Sequence, residues 1–282
     1  MKILITGVSG QLGHDVSIQL KKDGHTIFAP DHSEMDICNT EMIIDYFKKN
    51  NPDVVIHCAA WTAVDSAEDE KEACMAVNVQ GTKNLVEQCR KNNIAMMYFS
   101  TDYVFNGSGN RPWTVDDKTD PINVYGLSKR DGESAVRSLE KYFIVRISWV
   151  FGINGKNFVK TMIRLGSSNS HVRVVCDQYG SPTYTVDLAA LVSKMIITER
   201  YGIYHAHNEG MCSWYEFAKK IFELNGQDVD VEPISSEQFP MKAKRPMNGY
   251  LDTSALVDAG FELLPPWEDA LLRYLDELKR TD

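Results

Sequence analysis

Apolar and polar positions follow two alternating periods along the first half of the chain. Short runs of mainly apolar residues are separated by longer stretches in which apolar residues recur every three or four positions. The short runs are typical of buried strands and the longer stretches of amphipathic helices. The predicted strands are residues 2–6, 25–29, 53–58, 94–100 and 142–148, and the predicted helices between them are residues 11–22, 40–49, 67–91 and 124–139. This alternation predicts an α/β fold with a Rossmann-type doubly wound parallel sheet.

The pattern weakens after Trp149. We expect a sixth strand over residues 172–176, followed by helices over 186–198 and 213–224 and a last helix after Pro265 and Pro266. The pattern of the C-terminal third predicts a smaller α/β domain, whose segments alternate along the chain with those of the larger domain. The expected limits are 1–150 with about 168–206 for the larger domain, and about 151–167 with 207–282 for the smaller one.

Composition excludes several classes of protein. The 282 residues are 43% hydrophobic and 24% charged, close to the average for soluble globular chains. A net charge of −9 has the wrong sign for binding a phosphate backbone, so no nucleic-acid partner is expected. No apolar run approaches the roughly 20 residues of a membrane span. The six cysteines form no C-x-x-C pair and predict buried thiols in a reducing compartment. We therefore expect a cytoplasmic protein without a membrane partner.

A glycine-rich turn joins the first predicted strand to the first predicted helix. Gly7, Gly10 and Gly13 are spaced as G-x-x-G-x-x-G. Glycines at these points let the backbone approach a pyrophosphate, and the following helix N-terminus offers free N–H groups to it. An ordinary βα loop is the alternative interpretation, but the place of the turn in an alternating chain favours a dinucleotide site. The larger domain is thus predicted to bind a dinucleotide and the smaller one the substrate.

An acidic residue follows the second predicted strand. Asp31 stands where a carboxylate accepts hydrogen bonds from the adenosine ribose and repels a 2′-phosphate. This favours NADH, while His32 and Ser33 would tolerate NADPH, so the coenzyme preference stays open. A solvated turn aspartate is the other interpretation. Asp36 lies further along, where a carboxylate can meet the adenine amino group.

Tyr125 and Lys129 are four positions apart on one predicted helix and therefore share a face. An ammonium beside a phenol favours the phenolate, so we expect Lys129 to lower the pKa of Tyr125 and to let it relay a proton. Thr101 ends the fourth predicted strand, at the edge where parallel sheets bind ligands. Its hydroxyl is expected to hold a substrate carbonyl, with Ser100 and Asp102 as alternatives for that role.

With these motifs the chain resembles a known family. The glycine turn, the Tyr/Lys pair and residues 78–85 look like the extended short-chain dehydrogenase/reductases. Residues 100–107, 121–126, 146–152, 177–183 and 244–246 closely resemble the dTDP-4-dehydrorhamnose reductases within that superfamily. The resemblance implies that NADPH or NADH reduces the 4-keto group of dTDP-4-dehydro-L-rhamnose to give dTDP-L-rhamnose, the last step in the biosynthesis of that sugar donor.

The resemblance also implies roles for individual residues. The implied catalytic residues are Thr101, Tyr125 and Lys129. The implied cofactor contacts are Gly7, Gly10, Gln11, Leu12, Gly13, Asp31, Asp36, Ile37, Ala59, Ala60 and Trp61, together with Tyr125 and Lys129. The implied contacts of the dTDP-deoxysugar are Thr101, Asp102, Trp149 and Arg245. Because Arg245 lies in a small basic cluster, it is expected to anchor the substrate diphosphate, a solvated loop being the alternative.

Some relatives form homodimers bridged by Mg²⁺, and Asp15, Asp187 and Glu277 fall at plausible positions for such a site. Two other functions remain as alternatives. A regulatory subunit on the same scaffold is disfavoured because such proteins usually lose the catalytic trio. A nucleotide-sugar epimerase or dehydratase is the second, and Tyr103 after Thr101 and Asp102 disfavours elimination. Coenzyme preference, oligomeric state, metal dependence and the nucleotide base are left open by the sequence.

Overall fold

The computed structural model describes residues 1–281. Its strands are β1 Lys2–Thr6, β2 Thr26–Phe28, β3 Val54–His57, β4 Ala95–Thr101, β5 Tyr142–Ile147, β6 Val150–Phe151, β7 His171–Val175, β8 Tyr179–Gly180, β9 Thr183–Tyr184, β10 Gly202–His205, β11 Asn208–Glu209, β12 Cys212–Ser213, β13 Asp230–Ile234 and β14 Leu264–Pro266. Its α-helices are α1 Gln11–Lys22, α2 Thr40–Asn50, α3 Val64–Asp69, α4 Lys71–Met75, α5 Thr82–Asn92, α6 Val124–Val136, α7 Phe158–Gly166, α8 Thr185–Ile196, α9 Trp214–Asn225, α10 Ser254–Asp258 and α11 Trp267–Thr281. A π-helical segment spans Ala76–Gly81, and 3₁₀ turns span Asp102–Val104 and Ser236–Gln238.

Six parallel strands form the main sheet in the order β10-β5-β4-β3-β1-β2. Helices α1 and α8 pack on one face, and α2, α5 and α6 pack on the other. The central strands are consequently buried on both sides, which explains their nearly continuous apolar sequences. This arrangement confirms the predicted Rossmann-type α/β fold with a smaller C-terminal part. The strand order reverses at β1, so the carboxyl ends of β1, β3 and β4 open on one crevice.

The sixth strand of this sheet is not the predicted one. Residues 172–176 were expected in that place, and β7 does form there, but it pairs with β13 in a separate two-stranded sheet. β10 instead lies beside β5 at the edge of the main sheet. In β7, Val172 and Val174 are buried while His171 and Arg173 are exposed. A strand with one solvated face suits a small sheet covered on one side only.

Two predictions about histidines have opposite outcomes. His57 and His171 lie in or beside apolar runs of the sequence, a position that predicts a satisfied core histidine. His57 is buried and hydrogen-bonded to the hydroxyls of Thr6 (2.7 Å) and Thr82 (3.2 Å). His171 is about half exposed and forms ion pairs with carboxylates of β13, so the prediction for this residue is wrong.

The helix predicted over residues 67–91 is divided into α3, α4, the π-helical segment and α5. Asn78 lies in the π-helical segment, where its side chain accepts a hydrogen bond from Trp61 N (2.8 Å) and donates one to Ser128 Oγ (2.8 Å). These bonds join three separate segments. Asn78 thus connects the π-helical segment to its neighbours, which is a structural role.

A further hydrophobic cluster fills the C-terminal part of the molecule. It includes Phe151, Phe217, Trp267 and Tyr274, and β7 contributes Val174 to it. The predicted domain limits stay a prediction. No helix within residues 1–281 is long and apolar enough to cross a membrane.

The six cysteines are all unpaired in the structure. Cys74, Cys89 and Cys212 are buried, as expected for thiols that pack like small apolar side chains. Cys38 is exposed, and the two others are half-buried. The predicted burial therefore holds for three of the six.

A buried ion pair connects α6 to β5. The Arg146 guanidinium is fully buried and donates two hydrogen bonds of 2.8 Å to the carboxylate of Glu133. The same guanidinium lies 5.0 Å from the centre of the Phe105 ring. Paired in this way, both charges are tolerated inside the protein, but neither is tolerated alone.

Replacing Arg146 with Met should lower the free energy of unfolding by about 3–5 kcal/mol, because the buried charge of Glu133 would keep only the half-exposed Arg137, 3.6 Å away, as a partner. Lys91→Met is the matched control, since Lys91 pairs with Glu87 at 3.2 Å on the exposed surface of α5. Loss of such a surface pair should cost less than about 1 kcal/mol. Urea unfolding of both variants provides the comparison, and equal losses would contradict the assignment.

Candidate active site

A cavity of about 1020 Å³ opens at the carboxyl ends of β1, β3, β4 and β5. Most of the predicted site residues line it, namely Gly7, Gly10, Gln11, Leu12, Gly13, Asp31, Asp36, Ile37, Ala59, Ala60, Thr101, Asp102, Tyr125, Lys129 and Trp149. Trp61 and Arg245 are not part of its lining. The fold thus brings residues from distant parts of the sequence to one crevice.

The glycine turn has room for backbone only. Gly7 adopts a φ of 72°, and a Cβ there would lie 2.5 Å from Ala59 N on the neighbouring loop. A Cβ on Gly13 would lie 2.3 Å from the Gly7 carbonyl oxygen. Gly10 caps α1 without a side chain, and the first turn of that helix contains no acidic residue. The free N–H groups at this helix terminus therefore face the cavity unobstructed, as an anion site requires.

The side chain of Gln11 connects the glycine turn to the C-terminal part of the chain. Its Oε1 accepts hydrogen bonds from Gly152 N (3.0 Å) and Asn157 Nδ2 (2.9 Å). Asn154 Nδ2 also donates to Ser9 O (2.8 Å). The side chain of Gln11 is thus engaged with protein, which leaves its backbone to face a ligand.

Asp31 lies at the rim of the cavity and also organises its own turn. Its Oδ1 accepts hydrogen bonds from the hydroxyl (2.7 Å) and backbone N–H (2.8 Å) of Ser33 and from Glu34 N (3.0 Å). These bonds, above all the one from the Ser33 hydroxyl, lower the pKa of Asp31. The carboxylate is consequently ionised and held in place at the point predicted for a ribose.

The close approach of Gly126 in α6 to the backbone after β4 places Tyr125 beside the end of that strand. Helix α6 begins after Asn123, whose side chain accepts a hydrogen bond from Gly126 N at 2.7 Å. A Cβ on Gly126 would lie 2.1 Å from the carbonyl oxygen of Tyr103. The first turn of α6 therefore touches the backbone just after Thr101, and Tyr125 and Thr101 meet in the cavity.

The pKa of Tyr125 departs from the expected direction. Burial raises it well above the ordinary value for tyrosine, the charge of Asp102 adds to this rise, and a hydrogen bond with Thr101 partly opposes it. The expected lowering by Lys129 is wrong, because the cost of burying a phenolate dominates. Tyr125 is therefore a protonated phenol at neutral pH.

Lys129 lies one helical turn further along and is almost completely buried. Burial lowers its pKa from 10.5 to about 7, with the charge of Glu133 acting in the opposite direction. Its ammonium lies 4.0 Å from the centre of the Tyr98 ring. The Glu133 carboxylate forms its ion pair with Arg146 rather than with this ammonium.

Two further polar residues flank Thr101. The Thr101 hydroxyl donates to Asp102 Oδ1 (3.0 Å) and accepts a hydrogen bond from Tyr103 N (3.2 Å). Burial raises the pKa of Asp102 to about 7. Ser100 also lines the cavity, and its buried hydroxyl has no hydrogen-bond partner among the described residues. All three residues are thus placed to meet a polar ligand.

The two predicted contacts outside the cavity have protein partners. Arg245 Nη2 lies 2.6 Å from Asp65 Oδ2, and a hydrogen bond with Tyr103 also helps to raise the pKa of this guanidinium. Trp61 donates its indole N–H to the carbonyl of Ala63 (3.2 Å). Arg245 therefore contacts Tyr103 without lining the cavity. Trp61 does not line the cavity either, although Ala59 and Ala60 just before it do.

Trp214 lines the cavity but was not predicted as a site residue. Its ring stacks on that of Trp149, with 3.5 Å between the ring centroids. The sequence places Trp214 directly after Ser213, the N-terminal cap of α9. The periodic apolar residues of this helix are buried in the core. Ser213 and Glu216 are spaced as a capping box in the sequence, and the structure forms that box, so this spacing is the signal that places Trp214 at the start of α9.

The three carboxylates considered for Mg²⁺ each have a protein partner within this chain. Asp187 forms an ion pair with Arg273 at 2.8 Å, Glu277 accepts the Tyr184 hydroxyl at 2.5 Å, and Asp15 accepts the Thr185 hydroxyl. Within residues 1–281, no group of three or more His, Cys, Asp or Glu side chains is arranged to hold a metal ion.

A family model, sequence relatives and solved structures all match this chain over nearly its whole length. The family model described as RmlD substrate binding domain matches residues 1–280. The chain is 40% identical over 277 residues to the spore coat polysaccharide biosynthesis protein SpsK of Bacillus subtilis, a match that covers 98% of this chain and 97% of the relative. A crystal structure of a dTDP-4-dehydrorhamnose reductase from Clostridium acetobutylicum matches with a TM-score of 0.97 and 42% identity, covering 99% of this chain and 100% of that one.

A crystal structure of dTDP-4-dehydrorhamnose reductase from Bacillus anthracis, in complex with NADP, matches with a TM-score of 0.96 and 41% identity. The match covers 98% of this chain and 99% of that one. These matches extend over the whole fold, including both the glycine turn and the C-terminal part. The chain therefore belongs to the RmlD family and is an NAD(P)-dependent reductase.

Proposed function

We propose that this protein reduces the 4-keto group of dTDP-4-dehydro-L-rhamnose to give dTDP-L-rhamnose. The observation that carries the proposal is that Thr101, Tyr125 and Lys129 line the same cavity as the glycine turn of α1. A reduced nicotinamide, when bound, supplies the hydride for such a reaction. The residues of this chain must then bind it, hold the carbonyl and deliver a proton.

The glycine turn and the loop after β2 fit a dinucleotide. Gly7 and Gly13 leave space where a Cβ would collide with backbone, and the N-terminus of α1 faces the cavity. Asp31 is placed to accept hydrogen bonds from the adenosine ribose, which favours NADH. We propose that NADPH is also accepted, since the relative from Bacillus anthracis binds NADP.

Proton delivery is assigned to Tyr125. Its raised pKa keeps the phenol protonated, which is the form that can donate to an alkoxide. As the carbonyl oxygen gains negative charge, the O–H bond of Tyr125 breaks and a new O–H bond forms on the sugar. Thr101 is proposed to hold that oxygen by turning its hydroxyl proton towards it and away from Asp102 Oδ1. Lys129 lines the same cavity one helical turn further along and is proposed to hold the nicotinamide ribose.

The sugar nucleotide is assigned to the opposite wall of the cavity. Thr101, Asp102 and Trp149 are proposed to contact the deoxysugar, and all three line the cavity. Arg245 remains the proposed contact of the diphosphate. Since its guanidinium is paired with Asp65, such a contact requires the diphosphate to compete with this carboxylate.

Tyr125→Phe should lower kcat by roughly 10²–10⁴-fold, because the proton donor is removed while the ring remains. Tyr142→Phe is the matched control, since Tyr142 begins β5 at the end remote from the cavity. Steady-state rates of NADPH oxidation and a circular dichroism spectrum test activity and folding together. A folded Tyr125→Phe protein with the parent rate would refute the proton assignment.

The substrate is tested by following oxidation of NADH and of NADPH with the dTDP-4-keto sugar and with its UDP and GDP counterparts. We expect both coenzymes to be oxidised and kcat/KM to favour the dTDP sugar by about tenfold or more. Activity with only a UDP or GDP sugar would agree with reduction of a 4-keto group but would show that the substrate is not a dTDP sugar.

Lys129→Met should abolish activity and yet stabilise the fold. The pKa of Lys129 is 10.5 in the unfolded chain and about 7 in the folded protein. Between these values the unfolded chain binds more protons, so stability rises with pH, and below both values the full cost of the buried charge is present. Removing the charge should raise the free energy of unfolding by roughly 1–3 kcal/mol near pH 6, with the gain vanishing towards about pH 10.

Urea unfolding across this pH range provides the measurement for Lys129→Met. Lys83→Met is the control, because Lys83 is exposed on α5 and carries no burial cost. A gain in stability that does not change with pH, or one that is equal in both variants, would show that the buried charge of Lys129 is not its source.

A further inference from the structure

Trp149 adopts a backbone conformation that its residue type disfavours. Its φ is 47°, in the left-handed region, and it is one of three residues other than glycine with positive φ among those described. Such a conformation costs on the order of 1–2 kcal/mol for a residue with a Cβ and persists only when the surroundings enforce it. The position of the Trp149 side chain is therefore imposed by its neighbours.

Buried hydrogen bonds hold the backbone on both sides of Trp149. Ser148 Oγ donates to Ser181 O (2.7 Å), and Thr183 Oγ1 donates to Ser148 O (2.6 Å). The carbonyl of Trp149 itself accepts a hydrogen bond from Thr183 N (3.2 Å). These contacts determine where the side chain leaves the backbone, but they do not determine the angle of its ring.

The ring angle is set by two contacts from the C-terminal part of the chain. The Trp214 ring lies parallel to it within 11°, with 3.5 Å between the centroids. Gly180 approaches so closely that a Cβ there would lie 2.7 Å from Trp149 Cε2. The antiparallel pair of β8 and β12 joins Gly180 to Cys212, two residues before Trp214. One small sheet thus positions both contacts.

Trp214 is itself firmly held. It is the first residue of α9 and lies within the capping box, between Ser213 and Glu216. Phe158 packs against its ring with 4.5 Å between centroids. A rigid indole in this position can fix the orientation of a second indole stacked on it.

We propose that Trp214 is a positioning residue, which holds the Trp149 ring at the angle needed to pack against the apolar face of a 6-deoxyhexosyl group. This inference rests on the proposed function, because it assigns Trp149 to the deoxysugar. Both indoles line the cavity together with Thr101 and Tyr125. The stacked pair therefore forms an apolar wall beside the residues that hold and protonate the carbonyl.

Trp214→Leu keeps an apolar side chain but removes the flat ring. We expect KM for the keto sugar to rise roughly three- to tenfold, with KM for NADPH and kcat changed less than about twofold. Trp214→Phe should restore much of the loss, since it supplies a ring at the same place. Tyr215→Leu is the matched control, because the neighbouring Tyr215 packs in the C-terminal cluster and does not line the cavity.

A spectroscopic measurement tests the geometry independently of activity. Two stacked indoles give an exciton couplet in far-ultraviolet circular dichroism, which should disappear in Trp214→Leu and Trp149→Leu and persist in Tyr215→Leu. If the couplet is lost in the two tryptophan variants as expected, but the parent protein does not reduce the keto sugar, the stacking is supported and the proposed function is refuted. If the parent is active and Trp214→Leu keeps its KM for the sugar, or if the couplet survives in this variant, the positioning role is overturned.

Discussion

The close packing of α6 against β4 is the contact on which the site depends. Added Cβ atoms at Gly126 and Gly132 would lie 2.1 Å from Tyr103 O and 2.2 Å from the Tyr98 hydroxyl, so the helix backbone rests directly on the end of the strand and on a buried ring. Contacts between backbone groups are less adjustable than those between long side chains. Tyr125 therefore meets the residues that follow β4 in a geometry set by the fold.

The same packing determines the electrostatics of the cavity. It removes the side chain of Lys129 from water and brings its pKa to about 7, while burial of Asp102 moves a carboxyl pKa to about 7 from the opposite direction. Charges in such a site interact more strongly than in water, because less solvent screens them. The spacing of Tyr125 and Lys129 in the sequence reveals that they share a helix face, but only the structure shows that burial outweighs their mutual influence on the pKa of Tyr125.

Local patterns predict the five strands of the first half of the fold, but not the division of the helix expected over residues 67–91. The bounds of β1 and α1 agree with the predicted ones, because apolar period and glycine spacing are both local properties. The identity of the sixth strand was not predictable in the same way, since a β-branched run does not specify its partner. The alternation of exposed and buried residues in β7 nevertheless indicates a strand with one solvated face. Trp214 and the Asp65 partner of Arg245 depend on contacts between residues far apart in sequence, which no local period encodes.

Residues 149–157 connect the two sides of the cavity. This segment begins at Trp149 in the proposed sugar wall and continues through Gly152 and Asn157, both hydrogen-bonded to the side chain of Gln11 next to the glycine turn. A shift of α1 relative to the sheet would therefore displace this segment, and with it the ring that stacks on Trp214. Because the segment is anchored by buried hydrogen bonds beside Trp149 and by partly buried ones to Gln11, the spacing between the helix N-terminus and the aromatic wall is fixed by the protein before any ligand arrives. A reductase needs this property, since hydride transfer requires its donor and acceptor to be held at a defined separation.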